Sequence, residues 1–147
     1  MTKKVITVKE TDKLSTVLAK FSKHGISGMP VIDSKGNLKG IVSEGDVMRS
    51  VDTCLPKMRF DHDSSFDLIL KLVKTPNIEA LKKGKHCDKI KVKEFMKKRV
   101  VTIGPNDKVL KAAEIMSRKN VKRLAVVDGK KLVGIIARAD IIKALAK

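Results

Sequence analysis

The sequence predicts an α/β (α+β) protein built from two copies of one βαββα unit that pack about a pseudo-twofold axis. The first observation is an internal repeat, because residues 5–51 align with residues 100–145 with a one-residue gap in a turn and eleven identical positions. The second is that apolar residues recur with strand and helix spacing at matching places in both copies. Two copies are too few for a solenoid, so they are expected to pair across the axis and form two related clefts.

The 147 residues suffice for one compact domain, or for two small halves that share a core. We divide the chain into a first repeat (residues 1–51), a connector (residues 52–94) and a second repeat (residues 95–147). Met1 aligns with Met96, so the first copy lacks counterparts of the residues before Met96, and the chain is either a full-length protein or an excised module.

The connector is predicted to be partly helical. Ser64 or Ser65 caps one helix, which Thr75-Pro76 ends, and a weaker helix covers Ile78–Lys82. Because the connector is longer than a passive link needs to be, it is also a candidate lid or partner surface.

Each repeat is expected to begin with a short β-branched strand, Val5–Val8 in the first copy and Val100–Ile103 in the second. An amphipathic helix follows, with Asp12 or Asp107 placing a carboxylate in its first turn. The core-facing stripes of the two helices have i, i+3, i+4, i+7 spacing and consist of Leu14, Val17, Leu18 and Phe21, and of Val109, Ala112, Ala113 and Met116. Both helices are predicted to end at a residue suited to the left-handed conformation, Gly25 or Asn120.

The second half of each repeat is predicted to contain two strands and a helix. Wholly apolar runs indicate central strands that are buried on both faces, at Met29–Ile32 and Leu124–Val127. A turn and a third strand follow, at Gly40–Val42 and Gly134–Ile136. The last helices begin near Glu44 and Arg138 and extend to about Val51 and Leu145.

Composition argues against several classes of protein. No apolar run approaches the roughly 18 residues of a membrane span, and no signal-peptide pattern opens the chain. Two cysteines do not make a disulfide framework, so the cytoplasm is the expected location and no membrane partner is expected. An aromatic content of 3%, with no Trp or Tyr, weakens a role in stacking single-stranded nucleic acid.

The net charge of +17 is concentrated in residues 95–147, which hold 14 basic and 4 acidic side chains. A solvated, lysine-rich surface accounts for such a charge as well as a binding function does. The functional alternatives are attraction of phosphate-bearing ligands and attraction of nucleic acid.

Three sets of motifs carry a family resemblance: GIVSEGD and GIIARAD (Gly40–Asp46 and Gly134–Asp140), the strands MPVID and LAVVD, and EFMKKRVVTI (Glu94–Ile103). In this order they resemble a tandem pair of CBS (cystathionine β-synthase) domains, also called a Bateman module. The resemblance covers both repeats, about two thirds of the chain, and leaves the connector unexplained. It implies a non-catalytic regulatory module, commonly a homodimer, that binds AMP, ADP, ATP, S-adenosylmethionine or a relative and acts on a protein partner.

In such modules each cleft joins the Gly-to-Asp motif of one repeat to segments of the other. The resemblance therefore implies a first cleft formed by Ile41, Ser43, Asp46, Val101, Val121, Lys122 and Arg123. It implies a second cleft formed by Ile6, Ile26, Ser27, Gly28, Ile135, Arg138 and Asp140. Asp46 and Asp140 are expected to accept hydrogen bonds from ribose hydroxyls, close to a helix N-terminus that suits a phosphate.

The two clefts are chemically unequal. The Ser43 hydroxyl of the first is replaced by Ala137 in the second, and Lys122 and Arg123 are replaced by Ser27 and Gly28. We therefore expect the first cleft to prefer a phosphorylated nucleotide. The second is expected to be empty, weak or suited to an uncharged adenosine-like ligand, with Arg138 at its edge as the candidate replacement cation.

Other patterns are weaker. Asp61-His62-Asp63, and Cys54 with His86-Cys87, lack the spacing of a zinc site, so polar loops are favoured over metal binding. The sequence contains no P-loop and no nucleophile with an evident base, so we expect neither an enzyme nor a catalytic cofactor. The alternatives to a sensor are a nucleic-acid-binding protein that uses the basic second half and a structural subunit with vestigial clefts.

Overall fold

The computed structural model describes residues 1–54 and 90–147, with the side chains of residues 52–54 outside the description. The first repeat contains β1 (Val8–Lys9), α1 (Leu14–His24), β2 (Gly28–Ile32), β3 (Leu38–Ser43) and α2 (Glu44–Cys54). The short helix α3 (Val92–Phe95) follows, and the second repeat contains β4 (Thr102–Ile103), α4 (Val109–Arg118), β5 (Arg123–Asp128), β6 (Lys131–Ala137) and α5 (Arg138–Leu145). The predicted βαββα order is confirmed in both copies.

The predicted connector helices and the Asp61–Asp63 and His86-Cys87 groups lie outside the described residues, as does the side chain of Cys54. Among the residues that the structure does describe, no group of three or more His, Cys, Asp or Glu could hold a metal ion. None of the described helices has the length and apolarity that crossing a bilayer requires.

Each repeat forms a three-stranded sheet with its second strand in the centre, orders β1-β2-β3 and β4-β5-β6. The first strand pairs with the central strand in parallel and the third pairs with it antiparallel. Both sheets shift register at the same place, between Val31 and Ile32 and between Val126 and Val127. Only two residues of each first strand pair with the central strand, so β4 covers the second half of the predicted Val100–Ile103, while β1 shares only Val8 with the predicted Val5–Val8 and continues to Lys9.

Helices α1 and α4 start later than predicted, so placing Asp12 and Asp107 in the first helical turn was wrong. Each carboxylate lies before the helix and closes the preceding turn: Asp12 accepts from the Lys9 N–H at 2.8 Å and Asp107 from the Gly104 N–H at 2.9 Å. The ammonium of Lys111, 2.8 Å from Asp107, and the Gly104 N–H hold the pKa of Asp107 below its usual value. This contribution to stability is therefore present at neutral pH and is lost as the pH falls through the lowered pKa.

The helix ends agree with the sequence. Gly25 and Asn120 both have positive φ, 59° and 51°, which confirms the two left-handed positions. Helix α2 extends to Cys54, a little beyond the predicted end, and α5 ends at the predicted Leu145.

The stripe on α1 is fully buried, whereas the stripe on α4 is only partly buried. Leu14 is 1% exposed, and its counterpart Val109 is 41% exposed. The difference arises because the segment around α3 covers the first repeat: the Leu14 N–H donates to the Ile90 carbonyl at 3.2 Å, and Val92 is fully buried in the first core. No described segment covers Val109 in the same way.

Each repeat also pairs with the segment that leads into the other. Ile41 in β3 exchanges two backbone hydrogen bonds of 2.9 Å with Lys97, and Ile135 in β6 exchanges bonds of 2.9 and 3.0 Å with Thr2. The two hairpin turns meet as well, since the Leu38 N–H donates to the Lys130 carbonyl at 2.9 Å and the Leu132 N–H to the Gly36 carbonyl at 3.1 Å. Such reciprocal contacts are the pattern that a pseudo-twofold axis produces.

These pairings bring backbone close to one glycine in each repeat. A β-carbon at Gly40 would lie 2.7 Å from the Lys97 carbonyl oxygen and 2.8 Å from the Met96 sulfur. A β-carbon at Gly134 would lie 2.7 Å from the Met1 sulfur and 3.2 Å from the Thr2 carbonyl oxygen. Close approach of the backbone therefore requires glycine at position 40, whereas at position 134 the contact below 3 Å is with the end of a flexible side chain.

Candidate functional site

A cavity of about 410 Å³ lies between the two repeats, where the first cleft was expected. Six of the seven residues predicted for that cleft line it: Ile41, Ser43, Val101, Val121, Lys122 and Arg123. The seventh, Asp46, does not border it. The structure adds residues that the sequence reasoning did not name, chiefly Glu44, Gly45, Lys97, Arg99, Val100 and Asn120.

One wall of this first cleft is the start of α2. The helix begins directly after β3, so Ser43 and the first two residues of the helix, Glu44 and Gly45, line the cavity together. The Glu44 N–H is already used, donating to the Ser27 carbonyl at 3.0 Å. Gly45 has no side chain to cover the helix end. An eleven-residue helix with an open N-terminus is a favourable place for an anionic group.

Asp46 supports this wall from behind. It is 2% exposed, and its Oδ2 accepts hydrogen bonds from both the backbone N–H and the hydroxyl of Ser43, each at 2.9 Å. Its Oδ1 accepts from the Arg49 guanidinium. The carboxylate thereby fixes the Ser43 hydroxyl at the edge of the cleft, and Asp46 borders a separate groove beside Phe95. Direct contact between Asp46 and a ribose stays a prediction.

Within the part of the chain that the structure describes, four basic residues line the first cleft: Lys97, Arg99, Lys122 and Arg123. Glu44 is the one acidic residue in that described lining, so the lining carries a clear excess of positive charge. The apolar part of the wall comes from Ile41, Val101 and Val121. A planar base fits against such aliphatic side chains, and cations around a helix N-terminus suit phosphate oxygens.

A second, smaller cavity of about 210 Å³ lies where the second cleft was expected. Five of the seven predicted residues line it: Ile6, Ile26, Gly28, Ile135 and Asp140. Ser27 instead lines the first cleft, and Arg138 borders a separate groove between α4 and α5. The structure therefore does not bring the candidate replacement cation, Arg138, into the second cleft.

Asp140 is held less firmly than Asp46. Its Oδ2 accepts one hydrogen bond from the Ala137 N–H at 2.9 Å, and Ala137 offers no hydroxyl. The side chain is half-buried and lines the second cavity, beside Lys4 and Arg123. The second cleft thus keeps an acidic residue in its lining, but it is smaller than the first and lacks the hydroxyl of the first.

The CBS domain family model matches residues 1–53 and 92–147, which together exceed half of the chain. The chain therefore belongs to the CBS domain family, and it contains a pair of these domains. The predicted boundaries at residues 51 and 95 stay a prediction, since the described structure does not test them.

Known proteins extend this assignment. The uncharacterized protein MJ1426 of Methanocaldococcus jannaschii is 38% identical over 146 residues, which cover 97% of this chain and 87% of that protein. Two solved structures share the fold. CBSX2 in complex with AMP has a TM-score of 0.71 at 21% identity, covering 99% of this chain and 92% of that one. The CBS domain pair of protein MJ0100, in complex with 5′-methylthioadenosine and S-adenosyl-L-methionine, has a TM-score of 0.68 at 22% identity, covering 99% and 91%.

Proposed function

We propose that this protein is a regulatory module that senses a phosphorylated adenine nucleotide in the first cleft and transmits its occupancy to a protein partner. The observation that supports it most is the cavity of about 410 Å³ between the repeats, because it combines an aliphatic wall, a serine hydroxyl, an open helix N-terminus and four basic side chains. CBS domain pairs with this fold have been solved with adenosine-containing ligands. The module regulates a partner rather than catalysing a reaction.

The charge of the first cleft favours one class of adenosine compound. AMP, ADP and ATP carry phosphates that the cations and the start of α2 can bind. S-adenosylmethionine carries a positive sulfonium, and 5′-methylthioadenosine carries no charge to match the four basic side chains. The nucleotides are therefore the ligands proposed here, with the adenine against Ile41, Val101 and Val121. The second cleft, with its smaller volume, is proposed to be empty or to bind an uncharged adenosine compound weakly.

Thermal unfolding in the presence of AMP, ADP, ATP, S-adenosylmethionine, 5′-methylthioadenosine and adenosine tests the proposal. A ligand that binds only the folded state raises the free energy of unfolding by about 2.7 kcal/mol when its free concentration is about 100 times Kd. We expect the three nucleotides to raise the melting temperature strongly and the other compounds to raise it weakly or not at all. If none of the six compounds shifts the transition, the chain does not sense adenosine compounds, and a structural role with vestigial clefts takes the place of this function.

The basic second repeat supports nucleic-acid binding as the second candidate, and salt separates the two. For a protein that binds the phosphate backbone of DNA, the logarithm of the binding constant falls linearly with the logarithm of the salt concentration. The slope is about −0.9 per neutralised phosphate. Binding of AMP in a cleft weakens much less. A duplex DNA that binds more tightly than AMP at physiological salt would favour the second candidate.

We further propose that the module is a homodimer formed through α4 and α5. These helices expose four large apolar side chains, of which Leu110 and Ile142 are 68% and 67% exposed. Apolar side chains clustered on a surface mark interaction sites. CBS domain pairs commonly dimerise, which makes a second copy the occupant proposed here.

Sedimentation equilibrium tests the dimer. The double variant L110S/I142S is expected to sediment as a monomer at concentrations where the wild-type chain is a dimer, because both side chains leave the interface without disturbing a core. K35S, in an exposed turn of the first repeat, is the control and is expected to remain dimeric. A dimer that survives L110S/I142S would place the interface elsewhere, and a monomeric wild-type chain would exclude the homodimer.

A further inference from the structure

Of the described residues that line the two clefts, only Gly28 and Arg123 border both. They occupy matching positions in the repeat, at the start of β2 and at the start of β5. Residues related by the repeat lie on opposite sides of the pseudo-twofold axis, so this is the place where the clefts meet. At this position the first repeat has glycine, which has no side chain, whereas the second repeat has arginine, which has a long cationic side chain.

The Arg123 guanidinium packs closely against Gly28. A β-carbon at Gly28 would lie 3.2 Å from Nη1 of Arg123, which is closer than most β-carbon contacts. The guanidinium extends past Gly28 into the first repeat, where Nη2 donates to the Ser27 hydroxyl at 2.8 Å. Ser27 lines the first cleft, so the hydrogen bond holds the guanidinium on that side, while Arg123 also lines the second cleft.

We propose that Arg123 is the specificity-determining residue that limits each chain to one phosphorylated nucleotide. It supplies a fixed cation to the first cleft and closes the second cleft against a ligand of that size. This inference rests on the proposed function, because it concerns how many nucleotides bind and in which cleft.

Two physical arguments support this role. The second cleft measures about 210 Å³, below the roughly 300 Å³ at which ligand pockets usually begin, whereas the first measures about 410 Å³. In addition, a bidentate guanidinium serves one phosphate at a time. The Ser27 bond already holds it at the first cleft, so a phosphate in the second cleft would have to compete for this guanidinium and would otherwise have only Lys4 among the described basic residues of the lining.

Equilibrium dialysis with labelled AMP at saturation measures the number of nucleotides per chain. The test variant Arg123→Gly installs the residue found at the matching position of the first repeat. Arg123→Ala is a second variant that keeps a β-carbon in the strand, in case glycine weakens β5. The matched control is Lys122→Ser, which also removes a first-cleft cation and also installs the first-repeat residue, but lies at an exposed position that does not border the second cleft. Circular dichroism confirms that each variant is folded.

The wild-type chain is expected to bind one AMP. Lys122→Ser is expected to bind one AMP with about 10-fold lower affinity, as for the loss of one hydrogen bond to a charged group. Either Arg123 variant is expected to bind two AMP per chain, with the first-cleft affinity also reduced by at least about 10-fold.

Several outcomes would overturn the inference while leaving the proposed function standing. These are two AMP bound by the wild-type chain, one AMP bound by both Arg123 variants, or two AMP bound by Lys122→Ser as well. If the wild-type chain binds no AMP and no other nucleotide, the proposed function fails and the inference fails with it.

Discussion

Asp46→Ala is expected to lower the free energy of unfolding by about 1–3 kcal/mol and to weaken AMP binding by more than about 10-fold. The carboxylate is almost fully buried and accepts three hydrogen bonds, so its removal leaves the Ser43 N–H and hydroxyl and the Arg49 guanidinium without this acceptor. The residue before α2 then loses the hydrogen bonds that fix it to the helix, and the Ser43 hydroxyl is no longer held at the cleft. Chemical denaturation and calorimetry with AMP measure the two effects.

Asp140→Ala is the matched control, because it removes the same group from the same place in the other repeat. It is expected to lower the free energy of unfolding by less than about 1 kcal/mol, because a half-buried side chain loses only one hydrogen bond, which it accepts from the Ala137 N–H. AMP affinity in the first cleft is expected to stay unchanged. If Asp140→Ala abolished AMP binding and Asp46→Ala did not, the roles of the two clefts would be reversed.

A further comparison separates the two possible roles of Asp46. Ser43→Ala removes the hydroxyl that Asp46 holds but leaves the carboxylate in place. If Asp46 acts only by positioning Ser43, the two variants lose the same affinity for AMP. If the carboxylate also contacts ribose, Asp46→Asn loses the preference of the wild-type chain for AMP over 2′-deoxy-AMP, whereas Ser43→Ala keeps that preference.

Gly40→Ala is expected to destabilise the fold by about 1–3 kcal/mol, the usual cost of overpacking. The new methyl group would meet the backbone carbonyl of Lys97 at 2.7 Å, and that carbonyl is fixed by its hydrogen bond to the Ile41 N–H. Relief of the clash requires the segment to move, which would also shift Lys97 and Arg99 at the first cleft. Thermal or denaturant unfolding, together with AMP affinity, measures both consequences.

Gly134→Ala provides the internal comparison. Its nearest neighbour is the end of the flexible Met1 side chain, and the backbone oxygen of Thr2 is farther away at 3.2 Å. Methionine can rotate away, so we expect a smaller loss of stability than for Gly40→Ala and no change in AMP affinity. Equal losses for the two variants would show that the Lys97 carbonyl yields as easily as a side chain.

The parts of the fold that follow from local chemistry could be predicted from the sequence. Apolar spacing gave the strands and helices, and the need for positive φ at Gly25 and Asn120 gave two helix ends. The start of each first helix was misplaced because an aspartate suits both a helix start and the turn before it. In the structure Asp12 and Asp107 accept hydrogen bonds from the backbone N–H groups of Lys9 and Gly104, and these bonds place both residues in the turn.

The candidate site was predictable where the resemblance to CBS domain pairs fixes it, and not where a side chain can enter either of two neighbouring spaces. The resemblance located six residues of the first cleft, but Lys97 and Arg99 line it because Lys97 pairs with β3 of the other repeat. Asp46 turned behind Ser43, and Arg138 turned toward the groove between α4 and α5. Neither direction is encoded in residue type or spacing.

The backbone pairing of each repeat with the segment that precedes the other repeat also bears on how the molecule avoids aggregation. β3 and β6 are the long outer strands of their sheets, and outer strands offer unpaired N–H and C=O groups to any extended chain nearby. Lys97 and Thr2 occupy these groups at Ile41 and Ile135, in the middle or later half of each strand. Each repeat thus covers the edge strand of the other repeat. A single repeat expressed alone is expected to self-associate through the edge strand that the other repeat would have covered.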